Sequence, residues 1–203
     1  MFIASSTLAY FTKEDTATNV ITTGKIDIEL SEVTLEIDPE TNTPKEFENL
    51  TDVMPGQEVD KIVTVKNINN AQPAFVRVKV EPDIQLAEGV EEDNRDDLVV
   101  EIMPLDVDLD VFGVDFNFDY WTFGNDGYIY YNEVLGTGKE TQPLFTKVMF
   151  DPQMGNMYQG ATFTITIDAQ AVQAVNIKDS DGNPVTQAID VPENVWPVLG
   201  AEF

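Results

Sequence analysis

The chain has 203 residues, 42% hydrophobic and 10% aromatic, enough for one sizeable core without a second domain. Its 11 Lys and Arg stand against 37 Asp and Glu, and the net charge of -26 repels phosphate backbones and anionic lipid, which disfavours nucleic acid as a partner. Cys and His are both absent, which excludes a disulfide framework, a thiol nucleophile, a Ser-His-Asp triad and an HExxH zinc site. Carboxylates, Tyr, Lys and hydroxyls are what remain for chemistry.

The first eleven residues, MFIASSTLAYF, are apolar and small. Phe2 and Ile3 suit the end of a signal-peptide apolar region, and Thr7-Leu8-Ala9 offers the small residues that a signal peptidase reads. Residues 1–9 are therefore read either as a signal-peptide remnant or as the head of the mature chain. Thr12 to Thr18 is polar and Thr-rich and reads as a flexible joint. The expectation is a detachable N-terminal donor strand over 1–18, with Phe2, Ile3, Leu8, Tyr10 and Phe11 as the side chains it buries, followed by one domain over 19–203. A disordered terminus is the alternative.

Ile26, Ile28 and Leu30 alternate with Lys25, Asp27 and Glu29, the period of a half-buried strand. Val33, Leu35 and Ile37 form a second strand or prolong the first, and Asp38 to Pro44 is a loop. Pro55-Gly56 marks a type II turn, and Lys61 to Lys66 is β-branched and strand-like. Phe75, Arg77 and Lys79 share one face of a strand and Val76, Val78 and Val80 the other, with the basic face turned to solvent or to nearby carboxylates.

Residues 81 to 97 read as acidic and irregular, and Leu98 to Met103 as a short strand. Asp106, Asp108 and Asp110 alternate along one face, an acidic edge that discourages unwanted pairing or else a Ca²⁺ site. A hairpin is expected from Tyr120 to Tyr131 around Asn125-Asp126-Gly127, its rings packed between sheets. Gly136-Thr137-Gly138 is a further turn, and Leu144 and Phe145 enter a strand ending at Phe150. Phe163, Ile165 and Ile167 alternate with threonines in a central strand, after which Ala169 to Ala174 reads as a helical turn or strand end.

Asp179-Ser180-Asp181-Gly182-Asn183 carries oxygen ligands at alternate positions, like the start of a calcium loop, but its glycine comes early and Asp190 stands where Glu is needed. A hairpin turn is one reading; Ca²⁺ held by Asp179, Asp181 and Asn183 is the other. No other cofactor is called for. The segment from Val191 to Pro197 is too proline-rich for a central strand and reads as an edge or a cover. No apolar run approaches the roughly 20 residues that span a bilayer. Nine or ten short strands with few short helices describe an all-β antiparallel sandwich or jelly roll.

Several blocks, in order, resemble the TasA/camelysin family of exported proteins: STLAYFTKEDTATNVITTGKIDIEL, MPGQEVDKIVTVKN, AFVRVKV, DGYIYYNEVLGTGKETQPLF and TFTITIDAQAVQA. Residues 81 to 118 and 176 to 190 are less like it. The resemblance implies processing by the signal peptidase SipW, a secreted jelly-roll subunit of biofilm-matrix fibres, and head-to-tail homopolymerisation by N-terminal strand exchange, with accessory matrix proteins as further partners. It also implies cleavage after Ala9, which makes Tyr10 to Val20 the donor. Camelysin members have been described as metalloproteases, but a chain without His offers no conventional zinc site. A carboxylate enzyme using Asp106, Asp108, Asp115 and Asp119 is formally open. So is a surface adhesin that binds carbohydrate through Tyr120, Trp121, Tyr128 and Tyr130.

Overall fold

The computed structural model describes residues 12–16, 19–20, 26–47, 54–68, 72–86, 112–152, 158 and 161–196. Twelve strands run through these residues: β1 (Thr12–Thr16), β2 (Asn19–Val20), β3 (Ile28–Ile37), β4 (Pro44–Glu46), β5 (Glu58–Asp60) and β6 (Ile62–Asn67), then β7 (Ala74–Gln85), β8 (Phe112–Val114), β9 (Trp121–Phe123), β10 (Ile129–Tyr131), β11 (Lys147–Phe150) and β12 (Thr162–Gln173). They form three antiparallel sheets, ordered β2-β1-β12-β7-β10-β9, β5-β11-β8 and β4-β3-β6. The only helical elements among the described residues that carry bounds are two 3-10 turns, Ala188–Asp190 and Glu193–Val195. The protein is all-β.

The longest ladder joins β7 to β12, with every residue from Ala74 to Gln85 registered against one from Gln173 to Thr162. Both strands outrun their sequence patterns. β7 continues past Val80 into the stretch expected to be irregular, and crosses Pro82 on the way. Pro82 lies beyond the part of β7 that β10 pairs with, which is Arg77 and Val78 only, so its missing N–H removes no bond from that ladder. β12 likewise continues through Ala169 to Gln173, where a helical turn or strand end was expected. Alanine is a poor strand former, but Ala169 and Ala171 are fully buried and paired, and packing overrides propensity.

Ile28 to Ile37 is one strand, so the second apolar triplet prolongs the first. β3 pairs with β6 from Ile28 to Val33 and then runs on, with Leu35 and Ile37 exposed. The turn back to β4 is held by Asp38, whose Oδ1 accepts the Glu40 amide at 2.7 Å, and by Asn42 in the left-handed region. The turn at Pro55-Gly56 is formed as expected: Gly56 has φ +74 and the Gln57 amide donates to the Met54 carbonyl at 3.0 Å.

The main core draws on all three sheets. Ile26 and Ile28 meet Val63 and Val65, Val76 and Val78, Ile167, Ala169 and Ala171, with Trp121, Tyr131, Phe145 and Phe150 filling the rest. A smaller second core lies on the other face of the six-stranded sheet. There Phe75, Tyr130 and Val172 are covered by Ile177, Ala188, Val191, Val195 and Trp196. The proline-rich tail is thus a cover. Leu98 to Met103, the Asp106–Asp110 alternation and the head Met1 to Phe11 lie outside the described residues.

Ile28→Asp is expected to prevent folding, because it places a charge in the main core with nothing to pair it. Ile28→Ala should fold but lose about 2–4 kcal/mol in a denaturant titration. An Ile28→Asp protein with native circular dichroism would show that this face is misassigned.

Candidate functional site

β12 is a central strand with unequal neighbours. On one side β7 accompanies all twelve of its residues. On the other, among the described residues, β1 meets five, Thr12 opposite Val172 through Thr16 opposite Asp168. The chain then reverses, and β2 pairs back on β1 through Val20 and Asn19. Residues 12–16 were expected to be a flexible joint and are instead a strand laid on the chain's own sheet. The sequence of β1, Thr-Lys-Glu-Asp-Thr, contains no apolar residue. Its register with β12 supplies main-chain hydrogen bonds, each worth about 0.5–1.5 kcal/mol net.

Asp168 stands where that ladder ends. Its Oδ1 is buried and accepts no hydrogen bond. Across β12 it registers with Lys79 of β7, but the ammonium of Lys79 is ion-paired with Glu81. Burial, reinforced by the charge of Glu81 and opposed by Lys79, raises the Asp168 carboxyl above its ordinary value.

Two residues further along β12, Gln170 reaches a buried cluster around Arg77. The alternation of β7 correctly separates Arg77 from the valine face, and of the two expected surroundings the carboxylates hold: Arg77 is only 1% exposed and is paired with Glu193 and Asp126. Its Nε donates to Gln170 Oε1 at 2.8 Å, Nη1 to Glu193 Oε2 at 2.8 Å and to the Tyr130 hydroxyl at 3.2 Å, and Nη2 to Glu193 Oε1 at 3.2 Å. Asp126 Oδ2 lies 3.4 Å from Nη1. The guanidinium carbon sits 3.7 Å from the Tyr128 ring centre and 4.5 Å from that of Trp196, a double cation–π contact. Burial pulls the guanidinium down, but Glu193 and Tyr130 together hold it above its ordinary value. Tyr130 is pushed up to about 12, first by burial and then by its 2.5 Å hydrogen bond to Asp126.

The residues expected to act fare unevenly. Phe2, Ile3, Leu8, Tyr10 and Phe11 lie outside the described residues. Asp179, Asp181 and Asn183 do come together, in a tight turn between Lys178 and Pro184. Asp179 Oδ1 accepts the amides of Asp181 at 2.9 Å and Asn183 at 2.8 Å, and Oδ2 accepts the Asn183 side chain at 3.1 Å. Those bonds, led by the Asn183 amide, lower the Asp179 carboxyl. Among the described residues no group of three or more Asp and Glu is placed to hold a metal ion.

Asp106 and Asp108 lie outside the described residues. Asp115 is engaged structurally, its Oδ1 accepting the amides of Thr146 and Lys147 at 2.7 and 2.5 Å. The rings proposed for sugar contact are turned inward: Trp121 and Tyr130 are 2% and 5% exposed, and Tyr128 lies under Arg77. The aromatic pair that does reach solvent is Phe118 with Phe123, ring centres 5.8 Å apart. Sequence reasoning missed Asp168, Gln170 and Glu193. The available signal was Phe75, an aromatic on the face assigned to Arg77 and Lys79, which needs a cover, together with an apolar tail able to supply one.

The fold and this edge define an all-β protein in which β1, with β2 outside it, lines one side of the six-stranded sheet. No family model matches the chain, and neither a curated protein nor a solved structure matches it.

Arg77→Met is expected to cost about 3–5 kcal/mol, since it strands the buried acceptors of Gln170 and Tyr130. Glu193→Gln should cost about 1 kcal/mol or less, because its carboxylate is 71% exposed. Thermal unfolding of the two variants checks the order. The raised phenol of Tyr130 gives a second test. The unfolded state releases that proton near pH 10 and the folded state only near 12, so stability falls across that window as pH rises. Tyr130→Phe should flatten this part of the curve relative to the wild type.

Proposed function

We propose that the chain is a secreted structural subunit that polymerises head to tail into extracellular matrix fibres, one copy's N-terminal segment replacing another's β1 at the β12 edge. The observation that carries this reading is the unequal pairing of β12 among the described residues: twelve residues with β7, and five with β1, whose sequence Thr-Lys-Glu-Asp-Thr is wholly polar. A short polar strand backed on its outer side by the two-residue β2 is the cheapest element of this sheet to exchange, and an equivalent segment from a second copy restores every main-chain bond it gives up. The contact joins unlike surfaces, so it repeats without closing and yields a filament. The resemblance of several sequence blocks to the TasA/camelysin family points the same way. The inward placement of Trp121 and Tyr130 weighs against the carbohydrate-binding adhesin.

Electron microscopy of purified protein is expected to show filaments. Deleting the segment before Thr18 should abolish them while circular dichroism reports a folded domain. Because the chain has no Cys, exchange can also be trapped directly. Thr16→Cys and Asp168→Cys copies of different size, mixed under oxidising conditions, should give a mixed covalent dimer, since these positions face each other across the ladder. Normal filaments from the truncated chain, or no mixed dimer from protein that does form filaments, would sink the proposal.

A further inference from the structure

The β12 edge also carries a control on its own occupancy. Asp168 is the last residue of β12 that β1 meets, opposite Thr16. Its buried Oδ1 lacks any donor, so an ionised carboxylate there is partly desolvated with one oxygen unbonded. The charged groups facing it offset this only in part, Lys79 favouring the charged form and Glu81 opposing it. From β7, Lys79 registers opposite but its ammonium is committed to Glu81, and Glu81 itself adds a like charge. The neighbour on β12, Gln170, is neutral and turned to Arg77. Tyr128, whose phenol burial raises, is neutral in the physiological range. β1 contributes Lys13, Glu14 and Asp15 by sequence, with Thr16 in register.

We infer that Asp168 is a proton-operated latch on the N-terminal strand: protonated, it lets the strand stay docked, and ionised, it favours the strand's release. When β1 leaves, the carboxylate regains water and its charged form is no longer penalised. The docked state therefore binds the proton more tightly than the open one. Such a group supports docking fully at pH below the ordinary carboxyl range and loses that support as pH rises through the raised value. The same burial awaits Asp168 under a strand from another copy. The latch therefore sets how often the edge stands open rather than which strand finally holds it. This inference takes the exchangeable edge of the proposed function as its starting point, but its test needs no filament.

The test is amide hydrogen exchange of residues 12–16 in the full chain, measured from about pH 4 to about pH 8. Rates are normalised to β6, a core strand, to remove the intrinsic pH dependence of exchange. Protection of 12–16 relative to β6 is expected to fall as pH rises in the wild type. In Asp168→Asn it should stay high and flat. Glu81→Gln removes the like charge and frees Lys79, so it should displace the fall to lower pH while leaving its size similar. An Asp168→Asn profile that tracks the wild type overturns the inference, as does a Glu81→Gln profile that does not move. Should Asp168→Asn fail to fold, the Glu81→Gln displacement alone decides. Loss of filaments with these profiles intact would count against the assembly reading and leave the latch standing.

Discussion

The constraint on which this molecule depends is that a β-strand has two edges and both must be satisfied. β12 meets that requirement asymmetrically. β7 satisfies one edge along its whole length, and between them the two strands carry Val76, Val78, Ile167, Ala169 and Ala171 into the main core. The other edge is met by a five-residue strand from the opposite end of the chain. Covalent order has no part in this pairing. The main-chain ladder has the same geometry whichever chain supplies the strand, so an edge can carry function without a cluster of reactive groups.

The outer face of the same sheet is governed by one buried cation. Arg77 brings together β7, β12, β10, the turn at Asp126 and the second 3-10 turn through Gln170, Tyr130, Asp126 and Glu193. Taking a guanidinium out of water is costly, and only a full set of acceptors and ring faces offsets it. The cluster is therefore better understood as specifying where the tail must lie than as adding net stability. Gln170 belongs to this cluster and is also the register partner of Glu14 on β1, so the cover and the β1 ladder share a strand.

Much of the sheet architecture was legible from period and turn chemistry. Ile26 and Ile28 are inward as their alternation demands, Gly56 and Gly127 adopt positive φ where turns were expected, and the hairpin between Trp121 and Tyr131 forms. Strand ends were not legible, because they are set by a partner distant in sequence. Glu81 to Gln85 and Ala169 to Gln173 are strand only because each pairs with the other strand. The β1 segment was hidden for the same reason, since a run of polar residues carries no period and only an edge beside it makes it a strand. For the basic face of β7 the sequence left solvent and nearby carboxylates as alternatives, and the carboxylates hold: Arg77 meets Glu193 and Asp126, and Lys79 meets Glu81. Alternation separates two faces without saying which is covered, so the burial of Arg77 beneath the tail was not legible. The Asp179 turn was legible as a turn, and its bonds to Asn183 and Asp181 are those of a side chain closing its own loop.

The order of elements along the chain has a temporal consequence. Among the described residues β1 is the first strand made and β12 the last, and the tail that seals Arg77 comes later still. A contact between strands so far apart in sequence forms slowly, since loop closure must precede any gain from pairing. Throughout synthesis the leading strand thus waits for a mate that does not yet exist, and in a crowd of identical nascent or newly released chains it can meet a finished β12 before its own has emerged.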